Sequence, residues 1–192
     1  MKYLITGLGN PGVEYENTRH NIGYKILDAL ASASNVVFND KRYGWITEFK
    51  FKSRTFILLK PTTYMNLSGR AVNYWLQKEN IEIENLLVLA DDLALPFGTL
   101  RLRAKGGDAG HNGLKNINQV LGRQDYARLR FGIGDNFRQG QQVDYVLSQW
   151  SKEEIKELPF LIDKCVDAVK DFGTIGITMT MNTLNQRKKD DQ

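Results

Sequence analysis

The sequence predicts an α/β layer fold, and three observations carry that expectation. Short apolar runs of strand length alternate with segments whose apolar residues recur every three or four positions, as on one face of a helix. Leu86–Ala90 is apolar throughout, as a strand buried on both faces must be. The chain has 192 residues, 42% of them hydrophobic and 25% charged. That is the size of one domain, or at most two small ones, and its composition excludes collagen, coiled coil and disorder.

Each element follows in order. Tyr3–Leu8 is a short apolar strand, followed by a loop rich in Gly, Asn and Glu. Ile22, Ile26, Leu27 and Leu30 then share a helical face. The β-rich runs Trp45–Phe51 and Thr55–Leu59 flank Lys52-Ser53 and predict a hairpin. Ser68 is placed to cap a helix whose Ala71, Val72, Trp75 and Leu76 face the core. Leu100–Arg103 and Ala127–Ile133 are further strands, separated by a helix from about Leu114 to Leu121. Ser151-Lys152-Glu153-Glu154 fits a capping box, with Trp150 and Ile155 placed for a hydrophobic staple. Pro159 suits the first turn of a following helix better than a helix interior. Leu161, Ile162, Cys165, Val166, Val169 and Phe172 mark that helix's buried face, and Asn185–Gln192 is a polar, fraying end. No stretch reads as a linker, repeat or low-complexity run.

Several function classes drop out. The longest apolar run, Leu86–Ala90, is far short of the roughly 20 residues of a membrane span. The opening MKYLITGLGNPG reaches Gly-Asn-Pro-Gly too soon for a signal peptide's apolar core, so a cytoplasmic setting is expected. The single cysteine, Cys165, makes neither an internal disulfide nor a cysteine metal cluster. On an apolar helical face it reads as a packed thiol rather than a nucleophile.

The net charge of +4 is unevenly spread. Residues 99–140 carry eight basic side chains (Arg101, Arg103, Lys105, Lys115, Arg123, Arg128, Arg130 and Arg138) and three acids, a net +5. The remainder is close to neutral. A polyanion partner fits that stretch, and so does an uneven solvated surface.

Three apolar strands end alike: the first in Gly9-Asn10, the hairpin's second strand through Pro61–Met65 to Asn66, and Leu86–Ala90 in Asp91-Asp92. Ligand crevices of open α/β sheets lie at such carboxyl ends, so Asn10, Asn66 and Asp91 can converge. Turn chemistry alone accounts for any one of them. The only histidines, His20 and His111, each follow a loop and precede a helix, which suits a base more than a packed core residue. They lie far apart in sequence with no thiolate near either, so no metal site is expected. Gly7-Leu8-Gly9-Asn10-Pro11-Gly12 matches G-x-G-x-x-G, but Pro11 and the polar stretch after it delay any helix until about Ile22. The string reads as a turn that aims Asn10, not as a dinucleotide site.

Together the blocks are specific. GLGNPG with Glu14-Tyr15, Thr18-Arg19-His20-Asn21-Ile22-Gly23, Lys60–Gly69, Asp91-Asp92-Leu93 to Leu95-Pro96, Gly110–Lys115, Arg128–Gly134 and Asp144–Leu147 resemble bacterial-type peptidyl-tRNA hydrolase, in family order across roughly residues 1–150. The resemblance implies a single α/β domain over 1–192 with a twisted mixed sheet between helices. Its motif-bearing part is about 1–150, a helical part runs over about 151–186, and a polar tail reaches 192. It implies hydrolysis of the ester joining a peptide's carboxyl end to the terminal ribose of tRNA, with no cofactor and no metal. His20 matches the catalytic histidine, Asp91 its acidic partner, and Asn10, Asn66 and Asn112 the site asparagines. Tyr15 and Met65 match pocket-lining positions. Arg103 and Arg130, with Lys105 beside them, match the basic group that grips tRNA phosphate. Ala94, Asp108 and Asp135-Asn136 depart from the family pattern around these contacts. The implied partner is peptidyl-tRNA, met by a monomer in the cytoplasm. The rival readings are a non-catalytic RNA-binding relative and, more remotely, a nicotinamide enzyme.

Overall fold

The structure, a computed structural model, describes residues 1–185. Its strands are β1 (Lys2–Gly7), β2 (Asn39–Lys41), β3 (Gly44–Phe51), β4 (Arg54–Pro61), β5 (Leu86–Asp92), β6 (Leu100–Arg103) and β7 (Ala127–Gly132). The helices are α1 (Ile22–Ala33), α2 (Ser68–Lys78), α3 (Asn112–Leu121), α4 (Gln142–Val146), α5 (Lys152–Thr174) and α6 (Ile177–Leu184). All seven strands share one sheet in the order β2-β3-β4-β1-β5-β7-β6. β1, β4, β5 and β7 run parallel, while β3 lies antiparallel to β4 and β6 antiparallel to β7. The expected mixed sheet between helices is therefore present.

Side-chain alternation splits the core into two layers. Tyr3, Ile5, Leu87, Leu89, Leu129 and Phe131 meet the apolar faces of α1 and α5 on one side. Leu4, Leu86, Val88 and Ala90 meet α2 and α3 on the other. From β1 the chain passes through α1 to β4 on one flank, then through α2 to β5 on the opposite flank. The strand order reverses around β1, so a crevice opens at the carboxyl ends of β1 and β5. Asn10 and Asp91 stand there.

Gly7, the last residue of β1, and Gly9 just beyond it allow close packing rather than dinucleotide binding. A Cβ on Gly7 would lie 2.3 Å from the Gly23 carbonyl oxygen, and one on Gly9 would lie 2.7 Å from the Tyr24 ring. Only bare backbone lets α1 sit this close to the strand that delivers Asn10.

Some expectations need correction. Ser68 is the first residue of α2, not its cap; its hydroxyl donates to the Met65 carbonyl at 2.7 Å. The capping box of Ser151 and Glu154 forms, but the helix it starts runs straight through Pro159 to Thr174. Pro159 is exposed, so the Ile155 carbonyl it leaves unpaired can be hydrated, which makes the interior position tolerable. Ile155 is 54% exposed, so the staple with Trp150 buries little. Strand β2 escaped the sequence pattern because all three of its residues are polar and exposed. Of the polar end, Asn185 is ordered: its side-chain amide accepts from Leu102 N–H and donates to the Leu102 carbonyl, both at 2.9 Å. Residues 186–192 of the proposed tail lie outside the described residues.

The layers differ in charge. Helices α2 and α3 contain Arg70, Lys78 and Lys115 and not one acid, whereas α5 carries four lysines against six acids. Cross-strand register pairs Arg101 with Arg130 and Arg103 with Arg128, which puts all four arginines on the α2–α3 side, since their neighbours Leu102, Leu129 and Phe131 fill the opposite layer.

Candidate active site

Asp91, at the end of β5, is 4% exposed and accepts hydrogen bonds from two histidines. His20 Nδ1 lies 3.0 Å from each carboxylate oxygen, and His111 Nε2 lies 2.9 Å from Oδ1. The two imidazoles come within 4.9 Å of each other, centroid to centroid. They reach the carboxylate from opposite layers, His20 from the turn before α1 and His111 from the turn before α3.

Hydrogen-bond polarity fixes the proton positions. His111 Nδ1 accepts from Gly113 N–H at 3.0 Å and more weakly from Leu114 N–H at 3.4 Å, capping α3. An accepting Nδ1 puts the ring proton on Nε2, which donates to Asp91. An ionised Asp91 likewise draws the His20 proton to Nδ1. His20 Nε2 then carries the lone pair and has no partner among the described residues. Burial alone would raise the Asp91 pKa, but the charges and hydrogen bonds of the two histidines outweigh it and hold the carboxyl well below its ordinary range. Burial alone would lower the His20 pKa; the Asp91 charge and hydrogen bond outweigh that and raise it above 6.5.

Sequence separation is a poor reason to dismiss a metal, because the fold brings His20, Asp91 and His111 within 4.8 Å, close enough to share one ion. Polarity gives a better one. An ion needs the lone pair of His111 Nε2, and that nitrogen bears the proton that the α3 amides leave it. The three groups fit a hydrogen-bonded relay, not a ligand set.

His20, Asp91, Asp92, His111 and Asn112 line a small cleft of about 70 Å³, closed on one side by Gln142, Val143 and Val146 at α4. A larger cavity of about 570 Å³ lies between α1 and the start of α5, lined by Trp150, Leu158 and Ile162. None of the candidate site residues reaches it.

Asn10 is held rigidly. Its backbone N–H donates to Asn21 Oδ1 and its carbonyl accepts from Asn21 Nδ2, both at 2.9 Å. Its side-chain Oδ1 accepts from Met65 N–H at 2.9 Å, leaving Nδ2 free to donate. Met65 is buried against the start of α3, where its sulfur would lie 2.8 Å from a Cβ on Gly113. Asn66 follows it and is exposed, as is Asn112 at the first residue of α3. Tyr15 is half-buried, and its carbonyl accepts from Thr18 at 2.9 Å. No contact joins Tyr15 or Asn66 to the histidine pair among the described residues.

Sequence reasoning names His111 as suited to a base but gives it no role in the site, and it leaves Asn21 and Arg19 without tasks. Arg19 is buried, donates to Glu154 Oε1 at 2.7 Å and to the Gln149 carbonyl at 2.6 Å, and stacks 4.5 Å above the Tyr145 ring. It pins the turn carrying His20 to the start of α5. The Thr-Arg-His-Asn string is the signal that could have found it.

The basic residues divide by burial. Arg103 and Lys105 are exposed. Arg130 is half-buried, donating to the Gly107 carbonyl at 3.1 Å and lying 3.5 Å from Asp92. Arg128 is wholly buried, donates to the Gly107 and Gln124 carbonyls, and stacks on Tyr126. It is spent on the fold. Asp108, a departure from the family pattern, accepts from Gly110 N–H at 2.8 Å and from His111 N–H through its carbonyl at 2.9 Å, shaping the turn that delivers His111.

Comparison with known proteins identifies the family. Residues 4–192 match the family profile described as peptidyl-tRNA hydrolase. The peptidyl-tRNA hydrolase of Phocaeicola vulgatus is 60% identical over 187 residues, covering 97% of this chain and all of the relative. That of Cytophaga hutchinsonii is 58% identical over 188 residues, covering 98% and 100%. The crystal structure of the Acinetobacter baumannii peptidyl-tRNA hydrolase superposes with a TM-score of 0.91 at 32% identity, covering 97% of this chain and 95% of that one. The chain belongs to the peptidyl-tRNA hydrolase family.

Proposed function

We propose that this protein hydrolyses the ester between the peptide carboxyl end and the terminal ribose of peptidyl-tRNA, releasing peptide and free tRNA. The observation that carries the reading is the His20–Asp91 pair: an oriented imidazole whose Nε2 lone pair is unpartnered among the described residues. Such a group takes a proton from water as the water's oxygen attacks the ester carbonyl carbon, a contribution of about 10²–10⁴-fold. Asp91 keeps the proton on Nδ1 and stabilises the imidazolium that forms, as in a triad without its nucleophile. When the tetrahedral intermediate collapses, the ribose oxygen leaves with the proton returned from His20. An ester is already activated, so these steps need only water as co-reactant.

Asn10 is the donor we assign to the oxyanion, because two hydrogen bonds hold its backbone and a third fixes its side-chain oxygen, leaving Nδ2 without a partner among the described residues. A well-placed donor of this kind contributes about 3 kcal/mol. Asn112, beside His20 in the cleft, suits the water or the peptide backbone. Met65, Asn66 and Tyr15 would border the peptide. Arg103, Lys105 and Arg130 would meet phosphates at the acceptor end, giving affinity without base reading. The protein is proposed to act as a cytoplasmic monomer; among the described residues no helix is long and apolar enough to cross a membrane.

N-acetyl-aminoacyl-tRNA tests the reading. Acid-soluble release of the N-acetyl-amino acid is expected. Tight tRNA binding with no release at high protein concentration would favour the non-catalytic RNA-binding alternative.

A further inference from the structure

His111 and Asp92 are the buried titratable groups in the cleft to which the hydrolase reading assigns no task, and of the two only His111 hydrogen-bonds Asp91. We propose that His111 is a positioning residue: its Nε2–H, aimed by the first turn of α3, orients the Asp91 carboxylate and takes up part of its charge, so that His20 is kept as a neutral base. The inference rests on the hydrolase reading and adds to it a fourth group through which the fold controls the reaction.

The ring is oriented from behind. Gly113 and Leu114 amides at the helix start claim Nδ1, so the ring can offer Asp91 only Nε2–H. Asp91 Oδ1 therefore receives two N–H groups, at 2.9 and 3.0 Å, while Oδ2 receives one. A carboxylate holding one donor fewer would present more of its charge to His20. That would favour the imidazolium and leave less of the neutral ring that accepts the proton. Among the described residues no other charge competes for this task. Asp92, next along β5, turns its carboxylate to Ala94 N–H at 2.8 Å and to Arg130. Arg19, next to His20, is turned to Glu154. From α4 the cleft receives Gln142, Val143 and Val146, none of them charged. His20 and His111 are the titratable groups that face Asp91.

The two jobs of this ring, capping α3 and donating to Asp91, can be separated. In His111→Asn the side-chain oxygen replaces Nδ1, so the cap persists while the donor to Asp91 is lost. In His111→Gln the terminal amide nitrogen stands near the place of Nε2, so the donor persists while the cap is lost. Both variants and the wild type would be assayed on N-acetyl-aminoacyl-tRNA from pH 5 to 9, with melting temperature and tRNA affinity measured alongside.

The expected result for His111→Asn is a near-normal melting temperature, unchanged tRNA affinity, a kcat/KM lower by on the order of tenfold, and an acid limb moved to higher pH. The tenfold figure reflects loss of one hydrogen bond to a charged group. His111→Gln should melt lower yet keep the wild-type acid limb and most of the rate. A purely structural His111 gives the reverse: activity follows melting temperature and neither limb moves, which would overturn the inference. Failure of the wild type itself to release N-acetyl-amino acid would instead overturn the hydrolase reading, so the two failures are distinguishable.

Discussion

Replacing Asp91 by asparagine changes almost no volume and inverts the hydrogen-bond logic of the site. Asp91 accepts from His20 Nδ1 at 3.0 Å and from His111 Nε2 at 2.9 Å. An asparagine offers one acceptor oxygen and an NH₂ donor. His111 cannot give way, because its Nδ1 is held by the Gly113 amide and its proton stays on Nε2. His20 has no such constraint. Facing the amide NH₂, it moves its proton to Nε2, and the lone pair that should accept water's proton turns inward. A wrong tautomer of this kind costs about 10⁴ in kcat in a serine protease triad, equivalent to about 5.5 kcal/mol of transition-state stabilisation. Initial rates of release from N-acetyl-aminoacyl-tRNA measure it, with circular dichroism checking that the fold persists. The pH profile supplies a second reading. In the wild type, His20 is raised above 6.5 chiefly by Asp91, so the acid limb of kcat/KM should lie above 6.5. In Asp91→Asn that charge is gone, and the limb of any residual activity should move to lower pH. An Asp91→Asn enzyme within tenfold of wild type, with its acid limb unmoved, would refute the tautomer argument.

Other perturbations separate binding from chemistry. Arg103→Ala should raise KM and leave kcat unchanged. It should also reduce the slope of log affinity against log salt by up to about 0.9 for each phosphate no longer neutralised, read by tRNA titration at several salt concentrations. Arg130→Ala should do the same and also lower kcat, because Arg130 holds the Gly107 carbonyl in the loop leading to His111. A salt slope unchanged in both would argue against phosphate contact. Gly113→Ala puts a Cβ 2.8 Å from the Met65 sulfur, 2.9 Å from Leu8 and 3.0 Å from the His111 ring. Overpacking of this kind costs about 1–3 kcal/mol, so the melting temperature should fall and kcat with it; an unaffected enzyme would show that this packing relaxes freely.

Much of this site was legible because strand ends are legible. The apolar runs ending at Asn10 and Asp91 belong to parallel neighbours, so their carboxyl ends meet wherever the sheet forms. Position after a loop and before a helix singled out both histidines, and the resemblance carried by the Thr18–Gly23 string named His20 as the base. His111 could not be placed. Its contact with Asp91 depends on α3 lying across the same sheet edge, a tertiary fact that no local spacing records. The arginines show the same boundary. Leu100-Arg101-Leu102-Arg103 and Arg128-Leu129-Arg130-Phe131 alternate with period two, so one shared face could be read. Which guanidinium is buried could not: Arg128 disappears beneath the Gly107 and Gln124 carbonyls while Arg103 stays exposed. Pro159 misled because local propensity ranks it as a helix starter, whereas the Ser151 cap and the long apolar face of α5 carry the helix past it.

The central claim is that His20 serves the chemistry and not the grip on RNA. Measuring kcat and tRNA affinity for His20→Ala beside the wild type tests it most directly. The account predicts a kcat reduced by at least about 10²-fold, with tRNA affinity and its salt dependence preserved. Equal losses of affinity and turnover, or turnover near the wild-type value, would contradict it.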